Sequence, residues 1–177
     1  MDKDERLFFA LWPAAELQKV WATTARELLP DGAGRLVPVS NLHMTLLYIG
    51  EVTAEKRAEL ELMAGEISFV PFVLRLDKFG YWRRPRVWWC GATETPEQLQ
   101  RLVDSLRSGA KTCGLEVDQR PYKAHLTLAR KVSRSPGQQV AQPYDWHIKQ
   151  FALVRSILSP GGAQYEVQRC WPILKQG

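Results

Sequence analysis

The sequence predicts an α+β fold in which two antiparallel sheets with flanking helices face each other across a central cleft. Strand-like and helix-like segments follow one another along all 177 residues, and their connections are short enough for hairpins, which favours mixed layers over a parallel doubly wound sheet. Each half of the chain also carries a helix, several strands and one copy of the same four-residue histidine motif. We therefore expect a single two-lobed, pseudo-duplicated domain that spans residues 1–177.

In the first half, Pro13 suits the first turn of a helix that ends in the turn-prone stretch 30–34. Thr53 is the predicted N-cap of a second helix, which runs to about Met63. The predicted strands, all rich in apolar or β-branched residues, are 6–12, 35–39 and 42–49. The buried side of the first helix is predicted to carry Leu17, Val20, Trp21 and Leu28.

In the second half, Thr95 and Pro96 are expected to start a third helix, and Gly114 is expected to end it. The apolar residues at helical spacing are Leu99, Leu102, Val103, Leu106, Ala110 and Cys113. The predicted strands are 69–82, 86–92, 124–130, 147–158 and 164–171, with 115–117 as a short additional strand. The stretch 133–143 is predicted to be a loop.

Composition narrows the class of protein. A net charge of +5 is compatible with a polyanionic partner. The three cysteines are widely spaced and form no Cys-x-x-Cys pair, so neither a disulfide framework nor a zinc site is indicated. No apolar stretch is long enough to span a membrane and the N-terminal residues are too acidic for a secretory signal, so a cytoplasmic protein without membrane attachment is expected.

The central observation is a repeated motif, His43-Met44-Thr45-Leu46 and His125-Leu126-Thr127-Leu128, in a chain with only three histidines. Side chains at positions i and i+2 of a strand point to the same face. Each histidine therefore shares a face with its threonine, while the intervening apolar residues, with Leu42 and Tyr48 in the first motif, form the opposite face. Two such faces lining a cleft would present two imidazoles and two hydroxyls to one ligand.

Two imidazoles suit displacement at phosphorus. The unperturbed pKa of histidine is about 6.5, so one ring can be a free base while the other is protonated. The base takes a proton from water, the acid gives one to the departing ribose oxygen, and the threonine hydroxyls bind the non-bridging oxygens. A strained cyclic phosphate does not obviously need a metal, and neither a metal nor a cofactor is expected.

Rival interpretations remain open for these residues. A lone histidine is more often a hydrogen-bonded structural residue, and this is our interpretation of His147. Zinc needs three or four ligands, and no Cys, Asp or Glu accompanies either motif at ligand spacing. Arg130 could clamp a phosphate, but strict alternation puts it on the opposite face from His125. A phosphate role for Arg130 therefore requires the strand to end or bend near Ala129.

These residues resemble the two-histidine phosphoesterase superfamily, in its branch called RNA 2′,3′-cyclic phosphodiesterase or 2′-5′ RNA ligase. The likeness runs nearly end to end, and Ala124, where the family often has proline, is one departure from its pattern. The resemblance is carried by residues 6–10, by 41–46 followed by Gly50, and by Arg120-Pro121-Tyr122 leading to 125–130.

The resemblance implies opening of a 2′,3′-cyclic phosphate to a 2′-phosphomonoester. It assigns His43 as the proton donor to the departing 3′ oxygen and His125 as the proton acceptor. It also places Thr45, Thr127 and Arg130 at the phosphate, and it brings a second activity, ATP-independent 2′-5′ joining of RNA ends. The expected partner is RNA with a 2′,3′-cyclic phosphate end, with tRNA fragments as candidates, and a monomeric enzyme is expected.

Two alternatives to this function stay open. In the first, the protein is a phosphodiesterase whose substrate is a small cyclic nucleotide or an ADP-ribose cyclic phosphate. In the second, it is a non-catalytic RNA-binding module. Aromatic residues and basic clusters are candidates for RNA contact in each case. The candidate stacking residues are Phe9, Trp12, Trp82 and Tyr122, and the candidate basic clusters are Arg83, Arg84 and Arg86, and Lys123, Arg130, Lys131 and Arg134.

Overall fold

The computed structural model describes residues 4–137 and 142–172, so part of the predicted loop 133–143 lies outside the described residues. The helices are α1 (Ala15–Leu28), α2 (Ala54–Gly65) and α3 (Glu97–Thr112), with a short 3₁₀ helix at Val39–Asn41. The strands are β1 (Glu5–Leu11), β2 (Arg35–Leu36), β3 (Met44–Val52), β4 (Phe72–Leu76), β5 (Lys78–Trp82), β6 (Val87–Gly91), β7 (His125–Arg130), β8 (Tyr144–Ile148), β9 (Gln150–Ser159) and β10 (Gly162–Pro172).

The strands form two larger antiparallel sheets, which confirms the predicted α+β class. The first sheet has the order β10-β9-β1-β3, the second has the order β2-β7-β6-β5, and β4 pairs separately with β8. Each histidine motif therefore belongs to a different sheet. One cluster of buried apolar side chains includes members of both sheets and of all three helices. Among the described residues, no helix combines the length and the apolar character needed to cross a membrane.

Helix α1 buries a narrower stripe than predicted. Leu17, Trp21 and Ala25 are buried at spacing i, i+4 and i+8, as expected for one face of a helix. Val20 is 45% exposed, so its predicted burial is wrong; it lies beside this stripe rather than on it. In α3 the predicted apolar face is confirmed, since all its members but the partly exposed Cys113 are buried.

Two predicted long strands are each divided into two strands. The segment 69–82 becomes β4 and β5, because β4 pairs with β8 whereas β5 pairs with β6. Asp77 stands at the division, and its backbone N–H donates to Gly91 O at 3.0 Å. The segment 147–158 is divided at Lys149 in the same way, with β8 and β9 in different sheets. The alternation of buried residues shifts at both divisions, from a spacing of two to a spacing of three between Leu76 and Phe79 and between Ile148 and Phe151.

Of the two predicted N-caps, one is confirmed and one is wrong. Thr53 is the N-cap of α2, as predicted, and its side chain accepts a hydrogen bond from Lys56 N at 3.3 Å. Thr95 does not cap α3, which follows Pro96 without a side-chain cap.

The predicted strand 35–39 shortens to β2 because Pro38 leads into the 3₁₀ helix. Residues 115–117 form no strand.

Gly80 permits a close cross-strand contact in the second sheet. It pairs with Trp89, and a Cβ atom built at Gly80 would overlap the indole ring of Trp89. We expect Gly80→Ala to lower the free energy of unfolding by about 1 to 3 kcal/mol, because the ring must shift in a packed environment. Chemical denaturation measures this change. Gly65→Ala is the control, since a Cβ atom there meets only Trp171 Nε1 at 3.7 Å; equal losses in both variants would contradict the prediction.

Candidate active site

His43 immediately precedes β3 and is held there by two hydrogen bonds. Its Nδ1 lies 2.7 Å from the carbonyl oxygen of Asn41, the last residue of the 3₁₀ helix. A carbonyl oxygen only accepts, so Nδ1 carries the proton and donates it. The other ring nitrogen, Nε2, lies 2.9 Å from Thr45 Oγ1. In the neutral ring Nε2 is therefore the basic atom, and the threonine hydroxyl donates to it.

His125 repeats this arrangement at the start of β7. Its Nδ1 lies 2.7 Å from the carbonyl oxygen of Lys123, again two residues earlier in the chain. Nδ1 must donate here as well, which leaves Nε2 as the basic nitrogen. Within the described part of the chain, Nε2 of His125 has no hydrogen-bond partner. Both imidazoles thus have the same tautomer, fixed by backbone carbonyls that the sequence motif alone did not reveal.

Both motifs contain a β-bulge at their leucine. The pairing of β1 with β3 passes from Thr45 to Leu47 and leaves Leu46 without a partner. The pairing of β6 with β7 passes from Thr127 to Ala129 and leaves Leu128 without one. In each strand the leucine and the residue after it are both buried, as an extra residue in one strand requires.

The bulges change the faces of the residues that follow them. Strict alternation put Tyr48 on the apolar face of the first motif, and this prediction is wrong, because Tyr48 is 51% exposed. Arg130 holds the same place after the second motif and is also exposed. The strand therefore has the irregularity near Ala129 that a phosphate role for Arg130 requires, and Arg130 returns to the face of Thr127.

A cavity of about 340 Å³ brings part of both motifs together. It contains His43 from the first motif and Thr127 and Arg130 from the second. His125 and Thr45 do not line it, although Tyr122, three residues before His125, donates from Oη to the backbone oxygen of Thr45 at 3.0 Å. The lining residues are Arg35, Leu36, Val37, Pro38, Asn41, His43, Thr127, Arg130, Lys131, Gly161, Gly162, Ala163 and Tyr165.

Comparison with known proteins identifies the family. The model of the 2′-5′ RNA ligase superfamily matches residues 12–157. The chain belongs to this superfamily. It is similar to the RNA 2′,3′-cyclic phosphodiesterase of Escherichia coli (strain K12), with 36% identity over 98% of this chain and 99% of the relative. It is also similar to the RNA 2′,3′-cyclic phosphodiesterase of Archaeoglobus fulgidus, with 32% identity over 91% and 96% of the two chains.

Solved structures from the same superfamily agree in fold with this chain. The crystal structure of E. coli LigT in its apo form has a TM-score of 0.92 and 34% identity, and the match covers 98% of this chain and all of that one. The structure of E. coli LigT complexed with 3′-AMP has a TM-score of 0.91. The predicted family and fold class are therefore confirmed, whereas the roles of individual residues in this superfamily member stay predictions.

The electrostatic environment favours neutral imidazoles at both positions. Burial lowers the pKa of His43 to about 4, and the positive charges of Arg130 and His125 add to this effect against the opposing hydrogen bond to Asn41 O. Burial also lowers the pKa of His125, again with a contribution from Arg130. Arg130 thus acts on both rings, and it lines the same cavity as His43.

In this superfamily member, aromatic side chains surround each of the two imidazoles and account for the burial of these rings. The ring of Trp12 stacks on His43 with centroids 5.4 Å apart and an interplanar angle of 12°. Phe8 and Tyr165 contact the same ring, at 4.9 and 5.1 Å. These contacts exclude water from one side of His43, which is the physical reason for its lowered pKa.

The rings around His125 border a second concavity. Trp82 lies 4.5 Å and Trp89 6.3 Å from its ring, both edge-to-face. The two tryptophans also line a concavity of about 580 Å³ that lies outside the cavity with His43. His125 itself lines neither concavity, and the cavity with Arg130 is the one that contains residues of both motifs.

The predictions for stacking residues had mixed outcomes. Trp12 and Trp82 lie beside the histidines, but Phe9 is fully buried and cannot reach a ligand. Tyr122 is partly buried, and its hydroxyl is engaged with Thr45. Phe8 and Tyr165 were missed, because burial of one strand face cannot be distinguished from contact with a site by sequence pattern. Of the predicted basic clusters, Arg130 and Lys131 line the cavity.

Proposed function

We propose that this protein hydrolyses RNA 2′,3′-cyclic phosphate ends to 2′-phosphomonoesters, with His125 as the general base and His43 as the general acid. The observation that carries the proposal is the pair of imidazoles with matching tautomers, together with the cavity that brings His43 to Thr127 and Arg130 of the second motif. The names of the similar proteins support the substrate class.

The proposed reaction transfers two protons. Nε2 of His125 takes a proton from a water molecule as the water oxygen bonds to phosphorus. The bond between phosphorus and the 3′ oxygen breaks, and Nε2–H of His43 donates its proton to that oxygen. Arg130, Thr45 and Thr127 bind the non-bridging oxygens, where negative charge develops. The products are a 2′-phosphate and a 3′-hydroxyl, so atoms and charges balance without a redox step.

A second activity follows from the same geometry. If an RNA 5′-hydroxyl takes the place of water, the same bond to the 3′ oxygen breaks and a 2′-5′ linkage forms without ATP. The description of the superfamily supports this extension. Water is far more concentrated than any RNA end, so we rank hydrolysis first. Ligated product is expected only when both RNA ends are held close together, for example by a complementary strand.

The pH dependence tests the proton transfers. The productive form has His43 protonated and His125 neutral, but the pKa of His43 is about 4 in the free protein and that of His125 lies below its usual value. The profile of kcat/KM reports the free enzyme, so its maximum is expected between about pH 4 and 6.5. In the complex with substrate, the phosphate anion favours the protonated form of His43 and so raises its pKa. The maximum of the kcat profile, which reports this complex, is therefore expected at higher pH than that of kcat/KM. Coincident profiles with a maximum above pH 7 would contradict this prediction.

The experiment that tests the function uses an oligonucleotide with a 2′,3′-cyclic phosphate end, incubated in EDTA across the pH range. Formation of a 2′-phosphate end, identified by its chromatographic mobility, supports the proposal. Formation of a 3′-phosphate would reverse the assigned leaving group. Loss of activity in EDTA that zinc or manganese restores would refute the metal-independent mechanism.

The same assay distinguishes the alternatives. A nucleoside 2′,3′-cyclic phosphate and an ADP-ribose cyclic phosphate, assayed beside the oligonucleotide, separate RNA ends from small substrates. If the protein binds the oligonucleotide but turns over none of the three compounds, the RNA-binding module is the remaining alternative. The finer parts of the proposal are tRNA fragments as substrates, a cytoplasmic location and a monomeric state, and analytical ultracentrifugation tests the last of these.

A further inference from the structure

Two arginines face each other at one wall of the cavity. Arg35 of β2 is the direct cross-strand partner of Arg130 of β7, and residues directly opposite in an antiparallel pair place their side chains on the same face. Both arginines are among the residues that line the cavity of about 340 Å³, as is Lys131. Like charges directly opposite each other destabilise a sheet, so this pairing needs a compensating feature.

No carboxylate compensates these charges in the part of the chain that the structure describes. The residues that line the cavity include no Asp or Glu, and none of the three cations forms an ion pair with another described residue. Elsewhere in the protein the same cross-strand position is neutralised: Arg75 of β4 is paired with Asp145 of β8, with 3.5 Å between Nη1 and Oδ1. The cavity thus has an excess of positive charge that an anionic ligand would offset.

The reacting phosphate does not account for all of this charge. A cyclic phosphodiester carries a single negative charge, which Arg130 is proposed to bind beside Thr127. Arg35 and Lys131 then remain, and Lys131 has a backbone φ of 55°, an uncommon conformation for a residue with a side chain. A volume of about 340 Å³ lies near the lower end of the range of about 300 to 1,000 Å³ for small-ligand pockets. This space suits one nucleotide unit.

We propose that Arg35 and Lys131 form a second phosphate subsite, which binds the phosphate on the 5′ side of the terminal nucleotide. The proposal rests on the proposed function and extends it, because the two cations would make the enzyme select RNA ends over nucleoside 2′,3′-cyclic phosphates. The apolar wall of Val37 and Pro38 and the ring of Tyr165 line the space that the nucleoside between the two phosphates would occupy.

The test compares two substrates that differ only in the 5′-phosphate: a nucleoside 2′,3′-cyclic phosphate and the same compound with a 5′-phosphate. The wild-type enzyme is expected to show a kcat/KM at least about tenfold higher for the phosphorylated substrate at low salt, because charge-assisted contacts to phosphate are strong. In the double variant Arg35→Gln with Lys131→Gln this preference is expected to disappear, because kcat/KM falls mainly for the phosphorylated substrate.

Arg83→Gln is the matched control, because it removes the same charge from an exposed arginine that does not line the cavity. The ratio of kcat/KM for the phosphorylated substrate to kcat/KM for the unphosphorylated one should be the same in Arg83→Gln as in the wild-type enzyme. An unchanged preference in the double variant, or an equal loss in Arg83→Gln, would overturn the subsite. Thermal unfolding of Arg35→Gln should occur at the same or a higher temperature, since a like-charge pair is relieved; a lower temperature would count against the uncompensated repulsion.

A binding measurement separates this proposal from the proposed function. Calorimetric titration compares a nucleoside 2′,5′-bisphosphate with the nucleoside 2′-monophosphate. Tighter binding of the bisphosphate that depends on Arg35 and Lys131 supports the subsite even if no substrate is turned over, in which case only the proposed function fails. Equal affinities of the two compounds for the wild-type protein would overturn the subsite even if hydrolysis is observed.

Discussion

Replacement of either His43 or His125 by alanine is expected to lower kcat for a cyclic-phosphate RNA end by about a hundredfold or more, because each removes one of the two proton transfers. Both rings contact solvent only partly and take no part in the main apolar cluster, so the variants should fold. Single-turnover hydrolysis in EDTA measures the loss, and circular dichroism checks the fold.

The chain supplies its own control for this experiment. His147 lies exposed on β8, in neither motif, and His147→Ala should retain wild-type kcat. The double variant of His43 and His125 should lose little more than the worse single variant, since groups that act in one step are not additive. Turnover within a few fold of wild type in both single variants would remove the catalytic proposal and leave the binding module.

Replacement of Arg130 by alanine is expected to lower kcat/KM by about a hundredfold to a thousandfold, the usual effect of losing a group that stabilises developing negative charge. Arg130→Lys should recover part of the loss, because an ammonium group keeps the charge but not the forked geometry of a guanidinium. Arg134→Ala is the control for net charge, as this exposed residue does not line the cavity.

The histidine pKa values provide a readout that a purely structural role of Arg130 would not change. Burial is the main cause of the lowered pKa of both His43 and His125 in the folded protein, and the positive charge of Arg130 adds to it. Arg130→Ala should therefore move the kcat/KM profile to higher pH, and Arg130→Lys should leave it near the wild-type position. Titration of the histidine Cε1 protons by NMR gives the same information without substrate. Unchanged pKa values in Arg130→Ala would contradict the proposed proximity of this charge to both rings.

The geometry explains why a histidine with so low a pKa can still serve as an acid. Trp12, Phe8 and Tyr165 exclude water from His43 and destabilise its charged form in the free protein. A bound phosphate anion brings the compensating charge into the same low-dielectric space, where the interaction is stronger than in water. Substrate binding should thus itself supply the proton affinity that the acid needs.

The sequence by itself determined the α+β class, the family and the pair of histidines. The reason is that these features depend on local information. The apolar periodicity of α3 and the capping role of Thr53 are properties of short segments, and both were confirmed. The repeated His-x-Thr-Leu motif needs no knowledge of the fold to be found, and its placement on strands follows from its residue types.

Only the tertiary structure decided how these residues are directed. The bulges at Leu46 and Leu128 arise from pairing with β1 and β6, which are distant in sequence, and they determine the exposed faces of Tyr48 and Arg130. The divisions at Asp77 and Lys149 and the opposition of Arg35 to Arg130 are also set by partners from elsewhere in the chain. Strand register and cross-strand neighbours are non-local properties, so the composition of a segment carries no record of them.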